Sequence, residues 1–128
     1  GLADAIGHSV GGLGQVPIAA MILIITITIV ILTELTSNTA TTATFLPILA
    51  AVAIGLEISP LLLCVPVALA ASMAFMMPVA TPPNAIVFAY SGLRIGDMLR
   101  AGLVLNIIAV IIIYAAVTQI VPRIFSGL

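Results

Sequence analysis

The polar stretch Glu34 to Thr42, E-L-T-S-N-T-A-T-T, stands between two long apolar runs, Val16 to Thr33 and Ala43 to Leu56. Each run is about long enough for a helix that reaches well into a bilayer. A polar knot flanked in this way is either a loop at the water surface or the tip of a re-entrant hairpin at membrane depth. The two arrangements imply different proteins, so the rest of the chain is weighed against them.

Composition places the chain in a membrane. Only 5% of its residues are charged and 63% are hydrophobic, with a mean hydropathy of +1.44. A soluble domain carries about 25% charged residues, and a surface so poor in charge could not be kept in water. Nothing at the N-terminus reads as a signal peptide: no basic segment is present and Asp4 is acidic. The sequence opens on Gly1 rather than Met, which reads as a fragment or a processed product.

The same composition excludes several classes of function. The formal net charge is −1, and the only basic residues are Arg94, Arg100 and Arg123, so the basic footprint of nucleic-acid binding is missing. Cys64 is alone, which rules out an intrachain disulfide and leaves apolar packing as its expected role. With one histidine, His8, and no cysteine pair, no transition-metal site is expected. No acid, base and nucleophile cluster, so the chain is not expected to be an enzyme.

In chain order, residues 1–14 read as the end of a preceding helix, with Leu2, Ile6 and Val10 at helical spacing. His8 is expected to face water or lipid headgroups. Gly11, Gly12 and Gly14 end that helix, and Pro17 opens the next at a favoured first-turn position. Met21 to Thr33 is rich in β-branched residues and taken alone resembles a strand. Yet Ile22 to Ile25 and Ile29 to Leu32 are apolar on both sides, and an unclosed strand leaves its backbone unpaired in lipid. The expectation is a helix whose threonine hydroxyls bond back to the preceding turn.

Thr44 to Leu56 reads as the returning helix, so residues 17–56 form a helical hairpin. Gly55, Glu57, Ser59 and Pro60 make a polar turn. Residues 61–90 read as one broken helix: an apolar run from Leu61 to Met77, expected to bend at Pro66, then the break P-V-A-T-P-P-N at Pro78 to Asn84, then a short helix from Ala85 to Tyr90. Gly92 to Arg100 reads as a loop. Residues 101–121 read as a spanning helix, roughly 30 Å long. Arg94 and Arg100 share one loop, which puts that loop in the cytoplasm and the Glu57–Pro60 turn outside. A full double crossing would make Glu34 to Thr42 a cytoplasmic loop, but it holds no Lys or Arg. The re-entrant tip fits its small hydroxyl residues better.

The two breaks read as one site. Ser37 is a natural N-cap for the returning helix, with Asn38 and Thr39 in its first turn. A helix N-terminus offers free N–H groups and about half a positive charge, which suits an anion without any basic residue. The preceding helix ends near Thr33 to Thr36, where unpaired carbonyls offer a hard cation the oxygen ligands it prefers. At the second break Thr81 is the cap, Pro82 and Pro83 fill the first turn, Asn84 adds an amide, and Pro78 frees carbonyls before it. Proline kinks and hydroxyl residues in membrane helices commonly serve packing alone. Two interrupted helices meeting near the midplane are instead the pattern of a secondary transporter. Glu34 is the one acid at the tip. A buried acid there is usually functional or paired, the alternative being a helix end in a water-filled basin, and it is not assigned as a ligand.

Ala71 to Val87, A-S-M-A-F-M-M-P-V-A-T-P-P-N-A-I-V, resembles the signature of the divalent anion:sodium symporters, the sodium–sulfate and dicarboxylate carriers. Ser72, Phe75, Pro78, Ala80, Asn84 and Val87 fall at that signature's spacing. Ser37-Asn38-Thr39 is similar to the family's second S-N-T motif. The resemblance covers essentially the whole chain, as the C-terminal portion of a longer carrier. It implies an all-α, polytopic protein of the inner or plasma membrane: a re-entrant hairpin (17–56), a broken helix (61–90) and a last spanning helix (101–121), together half of an inverted-repeat secondary transporter. It implies that substrate carboxylate meets Ser37, Asn38, Thr39, Thr81 and Pro82, and that sodium is held by Thr33, Thr36, Asn38 and Ala80, largely through main-chain or amide oxygens. The implied partners are a dicarboxylate or other divalent anion, the bilayer, a missing N-terminal half with a matching hairpin and break, and a second copy of the full-length carrier as a homodimer. The implied reaction is sodium-coupled uptake of a C4-dicarboxylate such as succinate. The alternatives are sulfate or citrate as the anion, or a membrane subunit that transports nothing.

Overall fold

The computed structural model describes Ala5 and residues 15–126. The helix end expected over residues 1–14, with His8, otherwise lies outside the described residues. Among the described residues the regular structure is helical: α1 (Ile18–Leu35), α2 (Asn38–Gly55), α3 (Leu61–Ala70), α4 (Pro82–Ser91), α5 (Ile95–Gln119) and the single turn α6 (Val121–Phe125). Three stretches, Ile18–Leu35, Asn38–Gly55 and Ile95–Phe125, are long and apolar enough to cross a membrane.

The β-branched run Met21 to Thr33 is helical, as the bilayer argument requires. Two of its threonines turn their hydroxyls onto the carbonyl four residues back: Thr26 Oγ1 donates to Ile22 O at 2.7 Å and Thr28 Oγ1 to Ile24 O at 2.8 Å. The Thr26 and Thr28 hydroxyls are thereby satisfied within their own helix, as hydrocarbon without water demands. Thr33 departs from this expectation and turns out of the helix toward Asn38 and Ala71.

The packing order differs from the chain order. α3 packs on both α1 and α2, while α5 packs on α1 and α3. The buried core follows from this: Ile22 and Ile29 of α1, Leu63, Val67 and Ala70 of α3, Ala53 of α2 and Val117 of α5 are almost fully enclosed. Large apolar side chains cover the outer faces, among them Ile24, Ile31, Leu35, Ile54 and Ile111. Apolar residues both inside and outside mark a helix set solvated by hydrocarbon rather than water.

Two boundaries depart from the sequence reading. The apolar run expected to continue to Met77 leaves the helical path at Ala70, and Ala71 to Thr81 is unwound. Apolarity does not mark this end, since the residues beyond it as far as Met77 are still apolar except for Ser72. The second departure is at α5, which begins at Ile95 rather than Ala101. Gly92, with φ of +61°, ends α4, and Arg94 is extended as the residue before α5. Asp97 then sits in the first turn of α5, where a negative charge suits the positive helix end. The charges that marked a loop in the sequence are therefore helix-start residues.

Candidate functional site

The turn between α1 and α2 is only Thr36 and Ser37. Ser37 is extended, and its Oγ accepts from Ala40 N at 3.4 Å, capping α2. Thr36 Oγ1 reaches Leu32 O at 2.9 Å and Thr41 Oγ1 at 2.7 Å, tying the end of α1 to the first turn of α2. The negative end of one helix and the positive end of the next thus lie side by side, with the last carbonyls of α1 lacking intrahelical partners.

Asn38 heads α2. Its Oδ1 lies 2.6 Å from Thr33 Oγ1, and the same hydroxyl lies 2.7 Å from Ala71 O, at the start of the unwound segment. Thr33 is fully buried. A hydroxyl carries one proton, so Thr33 donates to Asn38 or to Ala71 but not fully to both. Three oxygens therefore converge with one proton among them, a donor-poor cluster of the kind a hard cation satisfies.

The second break is built in the same manner. Thr81 is extended and its Oγ1 accepts from Asn84 N at 3.3 Å, with Pro82 at the head of α4. Proline is tolerated there because its absent N–H would have no helical partner. Pro78 likewise has no N–H to offer Ala74 O. Asn84 fills that gap, its Nδ2 donating to Ala74 O at 2.8 Å and to Met77 O at 3.1 Å.

The two breaks share one cleft of about 540 Å³, lined by Glu34 to Thr39 on one side and Val79 to Pro82 on the other. Of the sequence-derived residues, Ser37, Asn38, Thr39, Thr81, Pro82, Thr36 and Ala80 line it. Thr33 does not; it lies beneath, connected through Asn38. A smaller recess of about 340 Å³, lined by Asn38, Thr39, Thr42, Ala43 and Ser72, opens on the tip from elsewhere, so Asn38 and Thr39 border both. No Lys or Arg lines the cleft. The starts of α2 and α4, each with the partial positive charge of a helix N-terminus, border it.

Sequence reasoning left two contributors without a role. Glu34 is 5% exposed, and its carboxylate accepts from the backbone N–H of Phe75 (2.8 Å), Met76 (3.0 and 3.1 Å) and Met77 (3.0 Å). Asn106 of α5 donates Nδ2 to the same carboxylate at 2.7 Å. A lone asparagine inside the apolar run of α5 was the available signal, because polar side chains at that depth usually find a helix partner. The sequence could not say which partner.

Helix ends that meet at a cleft lined by no Lys or Arg, in a set of helices apolar enough to cross a membrane, are features that secondary carriers also have. The comparisons with known proteins agree. Residues 1–122 match the family model described as the sodium:sulfate symporter transmembrane region, and the chain belongs to that family. It is 50% identical over 119 residues to solute carrier family 13 member 2 of Mus musculus, covering 93% of this chain and 20% of the relative. It is 44% identical over 126 residues to the Na(+)/dicarboxylate cotransporter 3 of Homo sapiens, covering 98% of this chain and 21% of that protein. It is 45% identical over 117 residues to the Na(+)/citrate cotransporter of Rattus norvegicus, covering 91% of this chain and 20% of that protein. The chain thus spans about one fifth of the length of the curated relatives it matches.

Proposed function

We propose that this chain is part of a sodium-coupled carrier for small divalent anions, with C4-dicarboxylates such as succinate as the preferred cargo. The observation that carries this reading is the cleft where the starts of α2 and α4 and the end of α1 meet without a basic side chain. One substrate carboxylate binds Ser37, Asn38 and Thr39 at the start of α2, and Thr81 and Pro82 at the start of α4. Sodium binds first, at Thr33, Thr36, Asn38 and Ala80, where oxygens outnumber protons.

Order matters on electrostatic grounds. An unpaired charge at membrane depth costs several kcal/mol, so the dianion enters only after cations have been captured beside the helix ends. Each net positive charge carried inward then gains about 2.3 kcal/mol per 100 mV of membrane potential. In this reading α1 and α2 form a re-entrant hairpin, and a corresponding hairpin and break from the N-terminal half complete the site. The working carrier is a homodimer in the inner or plasma membrane, with Arg94 and Arg100 at the cytoplasmic face.

The test is uptake of labelled succinate by the complete carrier in proteoliposomes. An inward sodium gradient should drive accumulation, an equal potassium gradient should not, and unlabelled dicarboxylates should compete better than sulfate or citrate. Stronger competition by sulfate or citrate would reassign the cargo within the family. No sodium-dependent uptake of any of these anions would favour a membrane subunit that does not transport.

A further inference from the structure

Residues 74–77 have no helix to satisfy their backbone, and their two sets of polar groups go opposite ways. The N–H groups of Phe75, Met76 and Met77 converge on the Glu34 carboxylate, at the end of α1. The carbonyls of Ala74 and Met77 are taken by the Asn84 amide, in the first turn of α4. Successive backbone N–H groups pointing at one place form an anion-binding concavity. Here the chain's own carboxylate fills it. Asn106 braces that carboxylate from α5, and one turn earlier Gly102 brings the α5 backbone against Phe75 and Met76.

The same four residues therefore connect the last turn of α1 with the first turn of α4, and these are the two walls of the cleft. Glu34 lines the cleft, yet its oxygens are already engaged by four N–H donors. That argues against a direct ligand and for a part that sets spacing. We infer that Glu34 is a positioning residue. Through residues 74–77 and Asn84 it fixes the separation between the hairpin tip and the start of α4, and so the affinity of the site between them. The inference rests on the carrier reading above, deepening it by assigning the residue that holds the two breaks in register.

The experiment uses the complete carrier, reconstituted, as Glu34→Gln, Asn84→Ala and the double variant, with Glu34→Asp as a milder change should Glu34→Gln fail to assemble. Hydrogen exchange at the amides of Phe75, Met76 and Met77 reads the relay itself and does not depend on transport. Those amides should exchange faster in Glu34→Gln and, less so, in Glu34→Asp. Losing charge-assisted bonds at one end of the relay should raise the succinate KM about tenfold, with the maximal rate per assembled carrier retained. Asn84→Ala should raise KM similarly. The double variant should be no worse than the weaker single, because groups acting through one element are not additive. Unchanged exchange at the three amides overturns the inference, as does faster exchange with unchanged KM, or fully additive KM effects. If the wild-type carrier takes up no anion with sodium, the functional reading falls, and the exchange result alone still decides whether Glu34 holds the relay.

Discussion

Asn38→Ala is expected to abolish sodium-dependent uptake by the complete carrier while leaving its level in the membrane unchanged. Asn38 is the first residue of α2, and its side-chain oxygen belongs to the proton-poor cluster with Thr33 and Ala71. Alanine removes that oxygen but is the best helix former, and the Ser37 cap is untouched, so α2 still starts where it does. Removing one partner from a charge-assisted contact costs about 3 kcal/mol, roughly a hundredfold in affinity. In the proposed site Asn38 serves both cation and anion, so a single change weakens both steps. Uptake at the wild-type rate and sodium dependence would remove Asn38 from the site.

The second large effect is on stability rather than transport. A Cβ on Gly102 would lie 2.5 Å from Met76 Cα and 2.6 Å from the Phe75 carbonyl carbon, and closer still to that carbonyl's oxygen. These are backbone atoms of the segment that Glu34 and Asn84 hold, so no side chain can swing aside. Either α5 moves out or the Glu34 bonds are strained. Gly102→Ala should destabilise the carrier by about 3 kcal/mol, at the upper end of overpacking costs. Gly96 lies in the same helix with nothing within 4 Å of its added Cβ. Gly96→Ala should therefore be neutral or gain up to about 1 kcal/mol from helix propensity. Thermal unfolding of the two purified variants gives the comparison. Equal unfolding temperatures would mean that α5 does not approach the unwound segment this closely.

The break between α1 and α2 was legible in the sequence because its signal is local. Ser37 is a capping residue between apolar runs, and Thr81 with Pro82 marks a helix start within a few residues. Such rules act over one turn and need no knowledge of neighbours. The end of α3 at Ala70 was not legible in this way. Hydropathy continues to Met77, and what keeps the chain unwound is Glu34, some distance back, with Asn84 and the glycine face of α5 ahead. The role of Glu34 was hidden for the same reason. Its donors are backbone N–H groups, which every residue type carries. The start of α5 was misread because Arg94, Gly96, Asp97 and Arg100 together look like a loop, although one glycine and scattered charges do not prevent a helix.

The central claim is that helix ends and captured cations, not basic side chains, hold the anion. A structure of the complete carrier with sodium and succinate bound tests it most directly. The expected result is one succinate carboxylate within hydrogen-bond distance of the N–H groups and hydroxyls at Ser37 to Thr39 and at Thr81, with sodium bound beside Asn38 and no arginine or lysine touching that carboxylate. A bidentate arginine on it, or succinate bound away from both breaks, would contradict the claim.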